Sequence, residues 1–315
     1  MTRAAPTLLA LLAARPLLAD EGTAPVQTHS LVSGSRERDL PEERASSEVT
    51  RGDLEQRRPG SVPEALAFEP GVFIVEPAYG RASAYIRGLT GQQTLLLFDG
   101  IRVNNSIDRP GPNQYLYTID ARTVDSIEVL RGGGSTRDGS DAIGGVVSLH
   151  PVEPVNPAAG FLVRPRLFLR AFTPAHEIGG RAQIDAAGVI PGRGLGGADL
   201  GIGFIGGVSL RDVGMLESAG SVRNPNPDTP VGLYPEVPRF APDGRTQLGT
   251  GFKELAADGR LVLRLDSDRS ITVAAYLYHQ YDAPQTSQCP PSGAYYLTCL
   301  VHLEQFRHHA YAAFE

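Results

Sequence analysis

From residue 161 onward, apolar and polar side chains alternate with a period of two. In Phe161–Phe172, Phe161, Val163, Leu167 and Leu169 face one way, and Arg164, Arg166, Phe168 and Arg170 face the other. Arg181–Ile190 sets Ala182, Ile184 and Ala186 against Arg181, Gln183 and Asp185. Ala198–Arg211 sets Leu200, Ile202, Phe204, Val208 and Leu210 against Asp199, Gly201, Gly203, Ser209 and Arg211. Gly259–Leu265 sets Leu261, Leu263 and Leu265 against Arg260 and Arg264. Ile271–Tyr281 sets Ile271, Val273, Ala275 and Leu277 against Thr272, Tyr276, Tyr278 and Gln280, and Val301–Phe314 alternates again. Each segment of roughly ten residues predicts a strand with one apolar face and one polar or small face. A transmembrane β-barrel wall has this signature, with lipid outside and a wet lumen inside. A soluble sandwich alternates too.

Before residue 151 the pattern is different. Three short apolar runs, Thr94–Phe98, Ser126–Leu130 and Gly145–Leu149, are bounded by Gly, Asp or Asn and predict buried strands. Asp99-Gly100 closes the first run like a turn. Gly132-Gly133-Gly134 is a backbone that bends sharply where side chains would clash. Ser61 reads as a helix N-cap, with Pro63 in the first turn and Glu64 three residues on. Glu64–Phe68 then gives one to two helical turns, stopped by Pro70-Gly71, and Val72–Val75 is a strand. Pro77–Ala84 and Asn104–Tyr117 read as polar loops carrying aromatics.

The motifs of residues 61–149 resemble the plug domain of TonB-dependent outer-membrane receptors. They are Ser61–Val72 (SVPEALAFEPGV), Ile86-Arg87-Gly88, Leu95–Gly100 ending in Asp-Gly, Val124–Gly132 (VDSIEVLRG) and Ile143–Leu149. Their order and spacing are those of the family. Ser47–Gln56 resembles its first strand and helix start. The resemblance implies a mainly β chain: a small α+β plug domain followed by an incomplete antiparallel transmembrane β-barrel. It divides the chain into a signal peptide (1–19), a loose N-terminal segment (20–46), the plug (47–150), a linker (151–160) and the first barrel strands (161–315).

The same resemblance implies site residues. A TonB box falls at Thr28, His29, Ser30, Leu31, Val32 and Ser33, where an extended segment adds itself to a partner's sheet edge. An ordinary disordered linker is the alternative for this stretch. Plug loops that touch the substrate bring in Tyr79, Arg81, Arg109, Asn113, Gln114, Tyr115 and Tyr117, whose rings and guanidinium forks suit stacking and directed donation. Arg87 and Arg131, each beside a glycine and a strand core, take the family's role of pairing with inner-wall glutamates to lock the plug. Surface arginines snorkelling over apolar neighbours are the plainer reading.

Connection lengths agree with a barrel. If Phe161–Phe172 rises from the periplasm, the turns on that side are the short Pro191–Gly197 and Asp266–Arg269. Opposite lie the long Asp212–Thr250 and Ala283–Leu300, and one brief connection near Thr173–Glu177. Short periplasmic turns and longer external loops are the outer-membrane habit. Pro165 removes a ladder donor inside the first barrel strand and predicts a bulge there. The count is about six strands, whereas plugged transporters have about 22. The chain therefore reads as the N-terminal part of a receptor, a fragment or a truncated reading frame, that forms no stable pore alone.

Composition narrows the function classes. The chain has 315 residues and a net charge of −6. With no basic cluster, nucleic acid is not an expected partner. Arg3, the apolar stretch Ala4–Ala14 and Ala19 read as a secretory signal. No later apolar run reaches the length of a membrane helix. Cys289 and Cys299 are the two cysteines. In an exported chain they read as a disulfide closing a small external loop, with two unpaired thiols as the alternative. The glycine-rich Arg131–Ser140 lacks the Gly-Lys-Ser/Thr ending of a phosphate loop. There is no HExxH, and Asp138 with Asp141 are too few carboxylates for a calcium site. No catalytic residue, resident metal or cofactor is expected.

The expected function is TonB-dependent active uptake of a scarce nutrient, such as a ferric siderophore or cobalamin, across the outer membrane of a Gram-negative bacterium. The plug gates the barrel. The partners are TonB with its inner-membrane energising complex, a small nutrient or metal chelate, and outer-membrane lipid. A soluble periplasmic binding or signalling module built on the plug is the alternative.

Overall fold

A computed structural model describes residues 45–78, 80–89, 93–104, 115–157, 160–172, 176–220, 243–246, 250–283 and 303–315. The chain divides into Met1–Leu31, outside those residues, and Val32–Glu315, which holds everything below.

The first part runs β1 (Ser46–Val49), α1 (Arg51–Arg57), α2 (Val62–Leu66), β2 (Val72–Ala78), β3 (Arg81–Ile86), β4 (Thr94–Phe98), β5 (Ile101–Arg102), β6 (Val124–Arg131), α3 (Ser135–Asp138) and β7 (Gly145–Pro151). Five strands form one sheet in the order β1-β6-β7-β4-β5, and β2 pairs with β3 in a separate ribbon. Within the sheet β4 and β7 run parallel, with Leu96 opposite Val147. Both faces are buried. Ile127, Val129, Val147 and Leu149 pack with Val49, Val62, Leu66 and Ile86 on one side. Leu95, Leu130 and Val146 pack with Ala142 on the other. That is why β4 and β7 carry the consecutive apolar residues Leu95–Phe98 and Val146–Val147 rather than a strict alternation.

Both α1 and α2 start on side-chain caps. Thr50 and Asp53 form a capping box on α1, and the Ser61 side chain accepts from the Glu64 N–H at the start of α2. The second carboxylate differs from the capping expectation: Glu64 takes the Gly60 N–H rather than that of Ser61. Three local readings change. Pro77–Ala84 is no loop beyond residue 80: β3 begins at Arg81, and Arg81, Ser83 and Ala84 are buried. Tyr117 lies in a buried 3-10 turn, Tyr115–Thr118, rather than in a solvated loop. The glycine run bends as expected, with Gly132 at φ +107°, but leads into the single turn α3 before β7.

The second part is an antiparallel meander: β8 (Phe161–Phe172), β9 (Glu177–Ile190), β10 (Leu200–Val213), β11 (Phe252–Arg264), β12 (Ser270–Ala283) and β13 (Leu303–Phe314). Each strand pairs with its neighbours in chain order, and β8 and β13 stand at the two edges of the sheet. The alternation expected from sequence is observed. Leu167, Leu169, Ile178, Leu210, Val273, Leu277, Phe306 and Phe314 are exposed on one face. The other face carries the buried Arg181, Asp185, Ser209, Arg260, Tyr278 and Gln280. The register runs unbroken through Pro165, opposite Ile184, so the expected bulge is absent. A proline without an N–H fits an edge strand as β8 stands here. β11 starts at Phe252, a half-strand earlier than its leucines indicate. No helix among the described residues is long and apolar enough to cross a membrane, which says nothing of strands.

Candidate functional site

The charged face of the six-stranded sheet packs against the first part of the chain, and three groups of ionic contacts line that seam. Between β8, β9, β10 and β11, Arg170 meets Glu177 at 2.9 Å, and Arg211 meets Glu177 and Glu254, each at 3.1 Å. Tyr278 donates to Glu254 at 2.7 Å. From this cluster Arg170 donates to the Arg58 carbonyl, and Arg211 to the Gly60 carbonyl at 2.9 Å, just before α2.

In the middle group, Arg181 grips Asp258 with two parallel bonds of 2.6 and 2.9 Å. Such a fork is the strongest arrangement open to the pair. The guanidinium leaves β9 and crosses β10 to reach β11. It passes over Gly207, where an added Cβ would sit 2.9 Å from its Cζ. Asp120, ahead of β6, lies 3.5 Å from Arg181 and accepts from Ser209.

The third group centres on Arg260. It donates to Asp99 at 2.6 Å, to the Tyr311 hydroxyl at 2.6 Å and to Glu153 at 2.9 Å. Tyr311 in turn donates to Asp99. Arg260, Ala274 and Tyr311 are register partners across β11, β12 and β13. The small Ala274 leaves room for the two longer side chains to meet. Beside them, Phe98 stands edge-on to Tyr276, with ring centroids 4.8 Å apart. Asp99 has φ +51°, and its N–H bonds the Leu149 carbonyl at 2.9 Å. The turn expected at Asp99-Gly100 therefore ends on the sheet.

Further along, Gly80, at φ +84° between β2 and β3, touches β11 and β12. A Cβ there would lie 2.8 Å from Gln280 Nε2 and 3.0 Å from a Phe252 ring carbon. Glycine is required both for the turn and for the approach.

Residues 37–146 match the family described as the TonB-dependent receptor plug domain. The chain carries a TonB-dependent receptor plug. In sequence the plug is similar to the vitamin B12 transporter BtuB of Photobacterium profundum, 33% identical over 104 residues, which are 33% of this chain and 17% of that protein. It is similar to the iron-regulated outer membrane virulence protein of Vibrio cholerae, 37% identical over 107 residues, 33% of this chain and 16% of the other. The fold is that of the ferric enterobactin receptor PfeA of Pseudomonas aeruginosa, with TM-score 0.50, 20% identity, 77% of this chain and 34% of that one covered. It is also that of the copper transporter OprC, with TM-score 0.52, 15% identity, 75% and 30% covered. The chain thus spans less than a fifth of these sequence relatives and about a third of these solved chains. The six-stranded sheet has the fold of part of the β-barrel wall in those solved chains.

The residues singled out from sequence fare unevenly. Thr28–Ser33, Tyr79, Arg109, Asn113, Gln114, Cys289 and Cys299 lie outside the described residues, as does the signal segment. For Tyr115 the backbone alone is described. Tyr117 is buried in the plug and donates to Glu76 at 2.6 Å. Burial, and next the Glu76 carboxylate, pushes its hydroxyl far above the usual range, so it stays a neutral donor. Arg131 bonds Ser47 at 2.6 Å and lies 3.9 Å from Glu69, both within the plug. Arg87 is exposed at φ +53°, its guanidinium against Gly132, so the two arginines share one corner of the plug. Among the described residues neither meets a wall carboxylate. No group of three or more potential metal ligands occurs among the described residues.

The seam residues Arg181, Arg211, Arg260, Asp99 and Asp120 were not singled out as a site. An inward-facing arginine on an alternating strand reads as lining water. The available signal was the small residue beside each long one, Gly207 near Arg181 and Ala274 near Arg260.

Proposed function

We propose that this chain belongs to a receptor for active uptake of a scarce nutrient, a ferric siderophore, cobalamin or a similar compound, with the plug gating the barrel and TonB supplying the pull. One observation carries this reading. The sheet is inverted, with apolar residues outward and charge inward, and the inward charges hold a plug. Leu169 is 80% exposed and Ile178 70% on the outer face. A contiguous apolar surface of this kind marks a partner or a membrane, and lipid is the solvent that suits a strand wall. The soluble periplasmic alternative leaves that face without a role. The place of the protein is the outer membrane of a Gram-negative bacterium.

Within this reading Thr28–Ser33 is the segment TonB grips. The substrate meets the plug around Tyr79, Arg109, Asn113, Gln114 and Tyr115, whereas Arg81 and Tyr117 are buried in the plug. Arg87 and Arg131 take the lock role toward further wall strands, and Cys289 pairs with Cys299 in an external loop. Fractionation of the producing cells, combined with growth of a gene-disrupted strain on limiting ferric siderophores, cobalamin or copper, tests the proposal. Outer-membrane location with loss of growth on one nutrient is expected. Recovery of the chain in the periplasm, with growth unaffected on every nutrient, rules the uptake role out.

A further inference from the structure

We infer that Arg260 is the retention point of the plug, the wall contact that holds longest when the plug is drawn away. The inference rests on the receptor reading above and concerns four wall arginines that bond the plug. Three of them carry a carboxylate partner from the wall itself. Arg170 has Glu177, Arg211 has Glu177 and Glu254, and Arg181 has the two-pronged bond to Asp258. If α2 and Asp120 move off, these arginines remain paired, and no buried charge is stranded. Arg260 differs. Its carboxylates among the described residues are Asp99 of the plug and Glu153 of the linker; its wall partner is the neutral Tyr311.

Breaking a buried pair by removing one member costs far more than loosening an exposed one. Withdrawal of Asp99 leaves Arg260 with the neutral Tyr311 and one carboxylate, Glu153, whose side chain is 38% exposed, whereas the side chains of Glu177 and Asp258 beside the other arginines are largely buried. Glu153 lies between two anchors: the Val152 N–H bonds the Thr123 carbonyl of the plug at 2.9 Å, and the chain beyond Glu153 is tied to the wall. The Val155 N–H bonds Asp185 at 3.1 Å, and Pro154 packs against Gly203. The plug therefore parts first along α2 and Asp120 and last at Asp99, where Phe98 against Tyr276 adds an apolar contact. Asp99 and Arg260 are positioning residues.

The test compares Asp99→Asn with Asp120→Asn in the full-length receptor reconstituted in planar bilayers. The readout is the urea concentration at which plug release opens a large conductance. Asparagine tolerates the left-handed turn at position 99, so the fold survives the change. Asp99→Asn is expected to favour release about tenfold, the size of one lost bond to a buried charge. Asp120→Asn is expected to shift it less than about threefold, because Arg181 keeps Asp258. A double-mutant cycle sharpens this: Asp99→Asn couples to Arg260→Gln and not to Arg181→Gln. A purely structural defect would not show that selectivity. Equal shifts for the two aspartates, or equal coupling to the two arginines, overturn the inference alone. A wild-type receptor with no plug-release step overturns the function reading together with it.

Discussion

The plug and the wall use similar strand chemistry with opposite sense. In the plug, Ile127, Val129 and Leu149 are buried between layers. In the wall, leucines and phenylalanines of equal size point outward and arginines point in. The same hydrophobic effect produces both, because apolar surface leaves water wherever it can. For the plug the refuge is its own interior. For the wall, in the receptor reading proposed above, it is lipid. The inward charges of the wall then face a second problem, since burial without a partner is costly. Asp258, Glu177 and Glu254 on the wall, with Asp99 and Asp120 from the plug, answer it.

The comparison breaks most readily at the plug core. Leu149→Ala removes a fully buried side chain and should cost the plug about 2–5 kcal/mol. Increased protease cleavage of the plug, with the wall left intact in membranes, checks this. Next comes the wall's outer face. Leu277→Arg sits midway along β12 on the exposed side. It should disfavour folding into lipid by roughly 2–4 kcal/mol, measured as the yield of urea-diluted protein folded into vesicles. A neutral result would mean that this face meets water or protein instead.

A smaller effect is expected where the two regions touch. Gly207→Ala places a methyl 2.9 Å from the Arg181 guanidinium carbon and 2.6 Å from the Ala182 carbonyl. Overpacking of this kind costs about 1–3 kcal/mol. The displaced Arg181 loosens its hold near Asp120 while keeping Asp258. Faster amide exchange around Ala121–Thr123, with α1 unaffected, is the expected signature. Unchanged exchange there would show that Arg181 does not steady Asp120.

How much of this was legible from sequence depends on what fixes each feature. Alternation between the exposed and the buried face is set residue by residue, so the facing of Phe161–Tyr281 was readable. The apolar runs within β4, β6 and β7 were also readable, because burial on both faces favours apolar residues at successive positions, as in Leu95–Leu97, Val129–Leu130 and Val146–Val147. The strand β3 was not, because RASAYI offers an arginine, a serine and a tyrosine where burial is decided by the neighbouring layer. The first half of β11, FKELAAD, hid for a related reason: Glu254 and Asp258 look solvated until Arg211 and Arg181 come from other strands. The seam belongs to pairs far apart in the chain, Asp99 with Arg260 and Asp120 with Arg181. Strand periodicity carries no information about such pairs.

The smallest effect lies on the plug's watery surface, at the start of α1. Asp53 accepts from the Thr50 hydroxyl at 2.6 Å and from the Thr50 N–H at 2.9 Å. The hydroxyl bond first, then the backbone bond, then the nearby Arg57 hold its carboxyl below the usual range. A carboxylate depressed in the folded state contributes stability above its unfolded pKa and loses it as pH falls through the folded value. Helix α1 should therefore be indifferent to pH between neutrality and mild acid, and its first turn should fray only in stronger acid. Amide chemical shifts of Asp53 and Leu54 followed through an acid titration read this directly. Thr50→Val should raise the Asp53 titration toward an ordinary carboxylate. Both groups are exposed and screened by water and salt, so the change should stay confined to that turn. Acid fraying that spread to Arg181 or Arg260 would mean the wall contacts lean on the plug surface, and the division between a solvated plug exterior and a buried seam would fail.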